Sequence, residues 1–94
     1  MDKTPCRTPE GSSATNIPSW KFDVLRAAIL DALRSGPVPW KRLTKEAGER
    51  LTFEEKRDLG SLGWHATTVR LEMEVRGEIE RLPGSPVTLK LAEA

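Results

Sequence analysis

The sequence predicts one small α+β domain, in which three to four helices are followed by a C-terminal β-hairpin. Apolar residues recur at three- and four-residue spacing through most of the chain, and polar and apolar residues alternate near its end. The 94 residues suffice for one domain at most. Hydrophobic residues make up 37% and charged residues 31%, a balance typical of a globular domain with a modest core.

Two helices are predicted in the first half of the chain. The first runs from Trp20 to about Arg34, with Ser19 as its N-cap and Gly36-Pro37 as its stop. The second begins around Pro39, a residue that suits a first helical turn. Its apolar stripe consists of Trp40, Leu43, Ala47 and Leu51.

The middle of the chain predicts a short helix and then a longer one. Thr52 and Glu55 have the spacing of a capping box, which predicts a third helix over 53–59. Gly60 interrupts the pattern, and a fourth helix is predicted from about Leu62 to Arg76. A glycine follows directly and suits a left-handed helix end.

The two ends of the chain differ in composition. Segments 78–82 and 87–91 alternate polar and apolar residues around the turn sequence at 83–86, which predicts a hairpin. Residues 1–16 are rich in Pro, Gly, Ser and Thr and offer little to bury. We therefore expect a flexible N-terminal tail at 1–16 and a folded domain at 17–94.

The junction between the fourth helix and the hairpin carries a resemblance. The run MEVRGEIER at 73–81 resembles the L-E-x-x-G-x-I-x-R junction between recognition helix and wing in the winged helix-turn-helix superfamily. The order of helices followed by a hairpin is also that of a winged-helix domain. The resemblance implies that the fourth helix is a recognition helix and that the hairpin is a wing.

A closer resemblance covers nearly the whole chain. The sequence resembles a small bacterial family of unknown function at CRTP (6–9), NIPSWKFD (16–23), LGSLGWHATTVRL (59–71) and RLPGSP (81–86). That family has an aromatic residue at the position of His65 and a basic ending, whereas this chain continues PVTLKL at 86–91. The resemblance implies the fold and no activity, and the missing basic residues lower the expectation of DNA binding.

The charge balance restricts nucleic-acid binding to a local patch. Fifteen Lys and Arg against fourteen Asp and Glu give a net charge of +1, whereas duplex binders usually concentrate positive charge. Lys41, Arg42 and Lys45 lie on one side of the second predicted helix, near its positive N-terminal end. They form either a phosphate or acidic-partner site or simply the solvated face of an amphipathic helix.

The fourth predicted helix has two apolar stripes when residues are placed at 100° steps. One stripe, Leu62 to Met73, faces the core. The other consists of Trp64, Leu71 and Val75. It is covered either by the hairpin and N-terminal segment or by a second copy of the chain. The polar strips between them carry Glu72 and Glu74, which we expect to be exposed and to oppose phosphates.

Two function hypotheses remain open. The first is a winged-helix protein associated with duplex DNA, as a weak or a dimeric regulator. Its candidate contacts are Lys41, Arg42 and Lys45 for phosphates, Thr67, Thr68 and Arg70 for base edges, and Arg81 and Lys90 for the backbone. The second is a protein-interaction module, either a homodimer or partner-binding, that uses Trp64, Leu71 and Val75. In that case the hairpin, whose tip has no Lys or Arg, only completes the core.

The chain offers little for catalysis. His65 is its one histidine, and Cys6, its one cysteine, lies far along the sequence, so neither a metal site nor an acid–base pair is expected. Arg7 beside Cys6 is weak support for a reactive thiolate. We therefore expect no enzymatic activity, no cofactor, no small-molecule substrate and no membrane partner. The single cysteine, which cannot form an internal disulfide, favours a cytoplasmic location.

Overall fold

A computed structural model describes residues 2–11 and 14–92 as an α+β domain of four helices with two antiparallel sheets. Along the chain the elements are β1 (Lys3–Arg7), β2 (Ala14–Pro18), α1 (Ser19–Ala32), β3 (Val38–Pro39), α2 (Trp40–Glu49), α3 (Phe53–Leu59), α4 (Leu62–Val75), β4 (Ile79–Leu82) and β5 (Thr88–Leu91). None of the described helices is long and apolar enough to cross a membrane.

The capping box predicted before α3 is present. The Thr52 hydroxyl accepts a hydrogen bond from the Glu55 amide at 3.0 Å, and the Glu55 carboxylate accepts one from the Thr52 amide at 2.8 Å. These two bonds satisfy amide groups that have no partner inside the helix. The predicted span 53–59 is confirmed, and α4 ends one residue before its predicted end, ahead of Gly77 at φ +76°.

The start of α1 differs from the prediction. Pro18 occupies the N-cap position, and Ser19 is already the first helical residue. The Ser19 hydroxyl lies 2.7 Å from the Thr4 hydroxyl in β1, so it joins the helix to the first strand instead of capping the helix.

The described part of the N-terminal segment forms a pair of strands and not the flexible tail that we expected over residues 1–16, of which Met1, Ser12 and Ser13 lie outside the described residues. Strands β1 and β2 pair antiparallel, with Cys6 opposite Thr15 and Thr4 opposite Ile17. Cys6 and Ile17 are almost completely buried. The composition concealed this hairpin because Cys6 is the one strongly apolar residue of β1, and the strand is also held by polar contacts to α1 and α4.

The second sheet joins the end of the chain to its middle. Its strand order is β3-β5-β4, so β5 pairs with both of its neighbours. The Trp40 amide also donates to the Val87 carbonyl at 2.7 Å, which fixes the start of α2 against the C-terminal hairpin. The two predicted C-terminal strands therefore form an antiparallel pair that is bound to the first turn of α2.

The core lies where α1, α2 and α4 meet this sheet. Its fully buried side chains include Leu25, Ile29, Leu33, Leu43, Leu59, Val69, Met73 and Leu89. Gly48 permits α2 and α4 to pack closely, because a Cβ atom there would lie 2.7 Å from Leu62 Cδ2. A larger residue at that position would require the Leu62 side chain to shift.

Candidate functional site

One exposed strip of α4 carries no charge. Trp64, Thr67, Thr68 and Leu71 follow the spacing of one helix face, and we call these four residues the α4 strip. The Trp64 side chain is 51% exposed, and the other three residues are half-buried. The strip contains the two threonines that the sequence suggested for base contacts.

The two threonines of the strip differ in their hydrogen bonding. The Thr68 hydroxyl donates to the Trp64 carbonyl at 2.9 Å, which turns the hydroxyl back toward the helix. In the part of the chain that the structure describes, the Thr67 hydroxyl has no such partner. The Thr67 hydroxyl can therefore donate to or accept from a ligand, whereas the Thr68 hydroxyl can only accept.

Arg70 cannot serve as the base-edge contact that we predicted. Only 8% of the residue is exposed, and its guanidinium stacks on the Trp40 ring with Cζ 4.5 Å from the ring centroid. Its Nε lies 3.5 Å from a Glu74 carboxylate oxygen. Burial lowers the Arg70 pKa because it removes water from around the cation. Arg70 therefore connects α4 to α2 inside the domain.

Glu72, which we expected on an exposed strip, is 1% exposed. Its carboxylate accepts hydrogen bonds from the Arg7 amide at 2.8 Å and from Arg7 Nε and Nη2 at 3.0 and 2.7 Å. Arg76 Nε adds a fourth bond at 2.8 Å. The hydrogen bonds from Arg7 are the main reason that the Glu72 pKa falls to about 2. The carboxylate is neutralised within the domain and does not face a ligand.

Glu74 lies between two arginines. Its two oxygens are 3.5 Å from Arg70 Nε and from Arg81 Nε, and its side chain is mostly buried. Arg81 on β4, predicted to contact the DNA backbone, is directed toward Glu74. Its side chain is half exposed, so part of the guanidinium remains accessible. The sequence did not reveal that this one carboxylate connects α4 to the hairpin.

The basic residues of α2 are exposed, as a phosphate site requires. Arg42 Nε lies 2.6 Å from a Glu46 oxygen, so its charge is partly compensated. Lys41 and Lys45 form no ion pair within residues 2–11 and 14–92. The helix begins after Pro39 without a side-chain cap and has no acidic residue in its first turn. This end of α2 therefore combines a positive helix terminus with two available ammonium groups.

The C-terminal hairpin contributes less charge than its sequence suggested. Lys90 Nζ lies 3.6 Å from a Glu80 oxygen on the neighbouring strand. The connection at 83–86 is exposed and carries no charged side chain. Of the two predicted backbone contacts, Lys90 is the less exposed and Arg81 the more exposed.

The second apolar stripe of α4 is divided. Trp64 is half exposed, whereas Leu71 and Val75 are half-buried at the end of the helix that β1 approaches. Val75 also lines a groove of about 630 Å³, together with residues of the N-terminal hairpin such as Pro9 and Ala14. The N-terminal segment therefore borders the end of this stripe and leaves its start exposed.

His65 and Cys6, the two residues considered for metal binding or catalysis, are held by their surroundings within the domain. His65 Nδ1 lies 2.6 Å from the Ser61 carbonyl, a contact one helical turn back that holds the imidazole ring. Burial raises the Cys6 pKa to about 11, the opposite of what a reactive thiolate needs. Within the described ranges, no three His, Cys, Asp or Glu side chains are grouped so that they could hold a metal ion.

Comparison with known proteins gives one match. The profile of a family of unknown function, DUF6958, matches residues 3–89, a range that includes the N-terminal hairpin, all four described helices and β4 and that ends within β5. No curated protein and no solved structure matches the chain. The matched range begins in β1, in agreement with the folded N-terminal hairpin. By this match over nearly its whole length, the chain belongs to the DUF6958 family of unknown function.

Proposed function

We propose that this protein is a small winged-helix domain that associates with duplex DNA. The observation that carries the proposal is the strand order β3-β5-β4. Through this order the C-terminal hairpin is bound to the start of α2, and Arg81 connects it to α4. The hairpin thus stands beside α4 as a wing stands beside its recognition helix. A recognition helix enters the major groove, while the first helix of the motif crosses the DNA backbone.

The distribution of charge supports the same orientation. Lys41 and Lys45 are exposed on α2, the helix that would approach the phosphates. The acidic residues of α4, which would repel phosphates, are instead paired with arginines inside the domain. The expectation that Glu72 and Glu74 would oppose phosphates from an exposed strip of α4 therefore no longer applies. Arg81 adds a partly exposed guanidinium on the hairpin.

The test is fluorescence anisotropy of a labelled mixed-sequence duplex, titrated with the full chain at several salt concentrations. We expect binding that weakens steeply with salt, since phosphate contacts release counterions. The double variant Lys41→Glu/Lys45→Glu should weaken binding and reduce the steepness of the log–log salt dependence by about two. The absence of any duplex binding at low salt would overturn the proposal.

A matched control separates local contacts from net charge. Lys3 on β1 and Lys56 on α3 are also exposed, and Lys3→Glu/Lys56→Glu changes the net charge by the same amount. We expect this variant to keep most of the affinity and the salt dependence of the natural chain. Equal losses in both double variants would mean that only the overall charge matters, and that α2 is not the phosphate contact.

The second candidate function is a protein-interaction module, either self-associating or partner-binding. The half-exposed Trp64 beside Leu71 favours it, because tryptophan is enriched at protein interfaces. This function predicts a dimer or a stable complex, and no salt-dependent affinity for DNA. Sedimentation equilibrium of the natural chain and of Trp64→Ala tests self-association directly.

A further inference from the structure

We infer that the duplex bound by this domain is selected through the 5-methyl groups of its pyrimidines, an inference that rests on the function proposed above. The major groove displays the methyl group of thymine, and that of 5-methylcytosine, beside the hydrogen-bonding edges of the bases. The α4 strip is an uncharged and partly exposed face of the proposed recognition helix. Its composition therefore decides which features of the groove can be read.

The strip lacks the side chains that read bases through paired hydrogen bonds. Guanine is usually contacted by Arg or Lys, adenine by Asn or Gln, and cytosine by Asp or Glu. Helix α4 contains no Lys, Asn, Gln or Asp, and its one arginine is buried against Trp40. Its two glutamates are paired with arginines of other elements or of the following turn. Hydrogen-bond readout by this helix is thus limited to single groups, such as the Thr67 hydroxyl, the Trp64 indole N–H and the second ring nitrogen of His65.

The strip instead offers apolar surface. The Thr68 hydroxyl donates its hydrogen to the Trp64 carbonyl, so this residue offers a ligand no hydroxyl donor and can contribute its methyl group. Trp64 adds an exposed ring and Leu71 a half-buried aliphatic group. A Cβ atom at Gly63 would meet nothing within 4 Å, so the first turn of α4 leaves space for a groove edge to approach. Threonine methyl and aromatic groups are suitable contacts for pyrimidine methyl groups.

The experiment removes methyl groups and nothing else. The probe is the duplex most enriched by the full chain from a pool with a randomised centre, prepared once with thymine and once with deoxyuridine. Both versions keep the same hydrogen-bonding edges. We expect the deoxyuridine version to bind more weakly in anisotropy titrations at low salt. Removing each contacted methyl should reduce the affinity roughly fourfold, the equivalent of one buried methyl-sized group.

A matched pair of variants assigns the effect to the strip. Thr68→Ser removes one methyl group and keeps the hydroxyl that bonds to the Trp64 carbonyl. We expect it to lower the ratio of thymine to deoxyuridine affinity by a few-fold. Thr44 on α2 makes the same type of bond, to the Trp40 carbonyl at 3.1 Å, outside the strip. Thr44→Ser should leave the ratio unchanged.

The outcomes separate this inference from the proposed function. If no duplex binds, both are overturned. Equal affinity for the two versions, or a pool in which no sequence is enriched, overturns the methyl readout and leaves DNA association standing. A thymine preference that persists unchanged in both Thr68→Ser and Trp64→Ala arises from duplex shape, and that result also overturns the inference.

Discussion

The two halves of α4 use their side chains in opposite ways. The first half contributes most of the α4 strip, which is exposed and uncharged. The second half carries Arg70, Glu72 and Glu74, all of which are buried or nearly so and paired with other elements. A buried charge is costly unless it is paired and hydrogen-bonded. On this helix, therefore, the charged residues make packing contacts, and the partly exposed strip is uncharged.

The same contrast separates α4 from α2. The cations of α2 are exposed, and Lys41 and Lys45 have no ion pair in the described part of the chain. Counting charges along the sequence does not distinguish buried, paired charges from exposed, unpaired ones. Substitution of a charged residue in the second half of α4 should therefore change the stability of the domain, whereas substitution of a residue of the strip should change mainly binding.

The largest expected effect is that of Glu72→Gln on stability. The amide cannot compensate the Arg7 and Arg76 guanidinium groups that now bond to the carboxylate. We expect the free energy of unfolding, measured with urea, to fall by about 2–3 kcal/mol. This is less than for a fully buried pair, because both arginines reach solvent.

The control for this variant is an exposed glutamate in a surface pair. Glu80 lies 3.6 Å from Lys90 on the hairpin and is half exposed. Glu80→Gln should lower the free energy of unfolding by less than about 1 kcal/mol. Similar losses in the two variants would show that Glu72 does not hold the N-terminal hairpin to α4.

Acid should remove the contribution of Glu72 in the natural chain. The Glu72 pKa is lowered from an ordinary value near 4.5 to about 2 in the folded state. The unfolded chain therefore takes up this proton first, and the stabilisation, complete above about pH 5, is lost as the pH falls toward 2. By pH 3 the loss from this group is about 2 kcal/mol.

Urea unfolding at a series of pH values checks this prediction. The difference in the free energy of unfolding between the natural chain and Glu72→Gln should shrink as the pH falls, since glutamine does not titrate. A difference that stays constant from pH 6 to pH 3 would show that the carboxylate does not keep its charge in the fold.

Arg70→Lys should have a smaller effect on stability and none on DNA affinity. Lysine loses the planar stacking of guanidinium on Trp40 and keeps the positive charge near Glu74. We expect a loss of about 1 kcal/mol in the free energy of unfolding. Arg34→Lys, at a position 79% exposed, should change stability by much less. A clear loss of duplex affinity in Arg70→Lys would return Arg70 to the role of a base contact.

Local patterns in the sequence predicted the helices and the C-terminal strands well. The capping box at Thr52 and Glu55 is a short-range signal, and both of its hydrogen bonds are present. The two-stripe pattern of α4 also predicted a helix that is covered on more than one side. These features depend on residues close together in the chain, so spacing alone is sufficient to find them.

The contacts that define the candidate site are long-range and were not predictable in this way. Arg7 and Glu72 are 65 residues apart, and neither residue has a neighbour that indicates the pairing. Without that partner, Glu72 looks like an exposed acid and β1 looks like part of a flexible tail. Arg70 was misassigned for the same reason, because its stacking partner Trp40 lies on another helix.

Trp64→Ala, in the exposed half of α4, should affect stability less than truncation of a core residue. About half of this side chain is already in water, so its removal loses only part of the burial energy of a large aromatic ring. We expect a smaller loss in urea unfolding than for Leu43→Ala, which at a fully buried position on α2 should cost about 3 kcal/mol. A large loss for Trp64→Ala would make the ring part of the core. A small loss, accompanied by weaker binding to DNA or to a protein, would mean that α4 presents the ring to a partner.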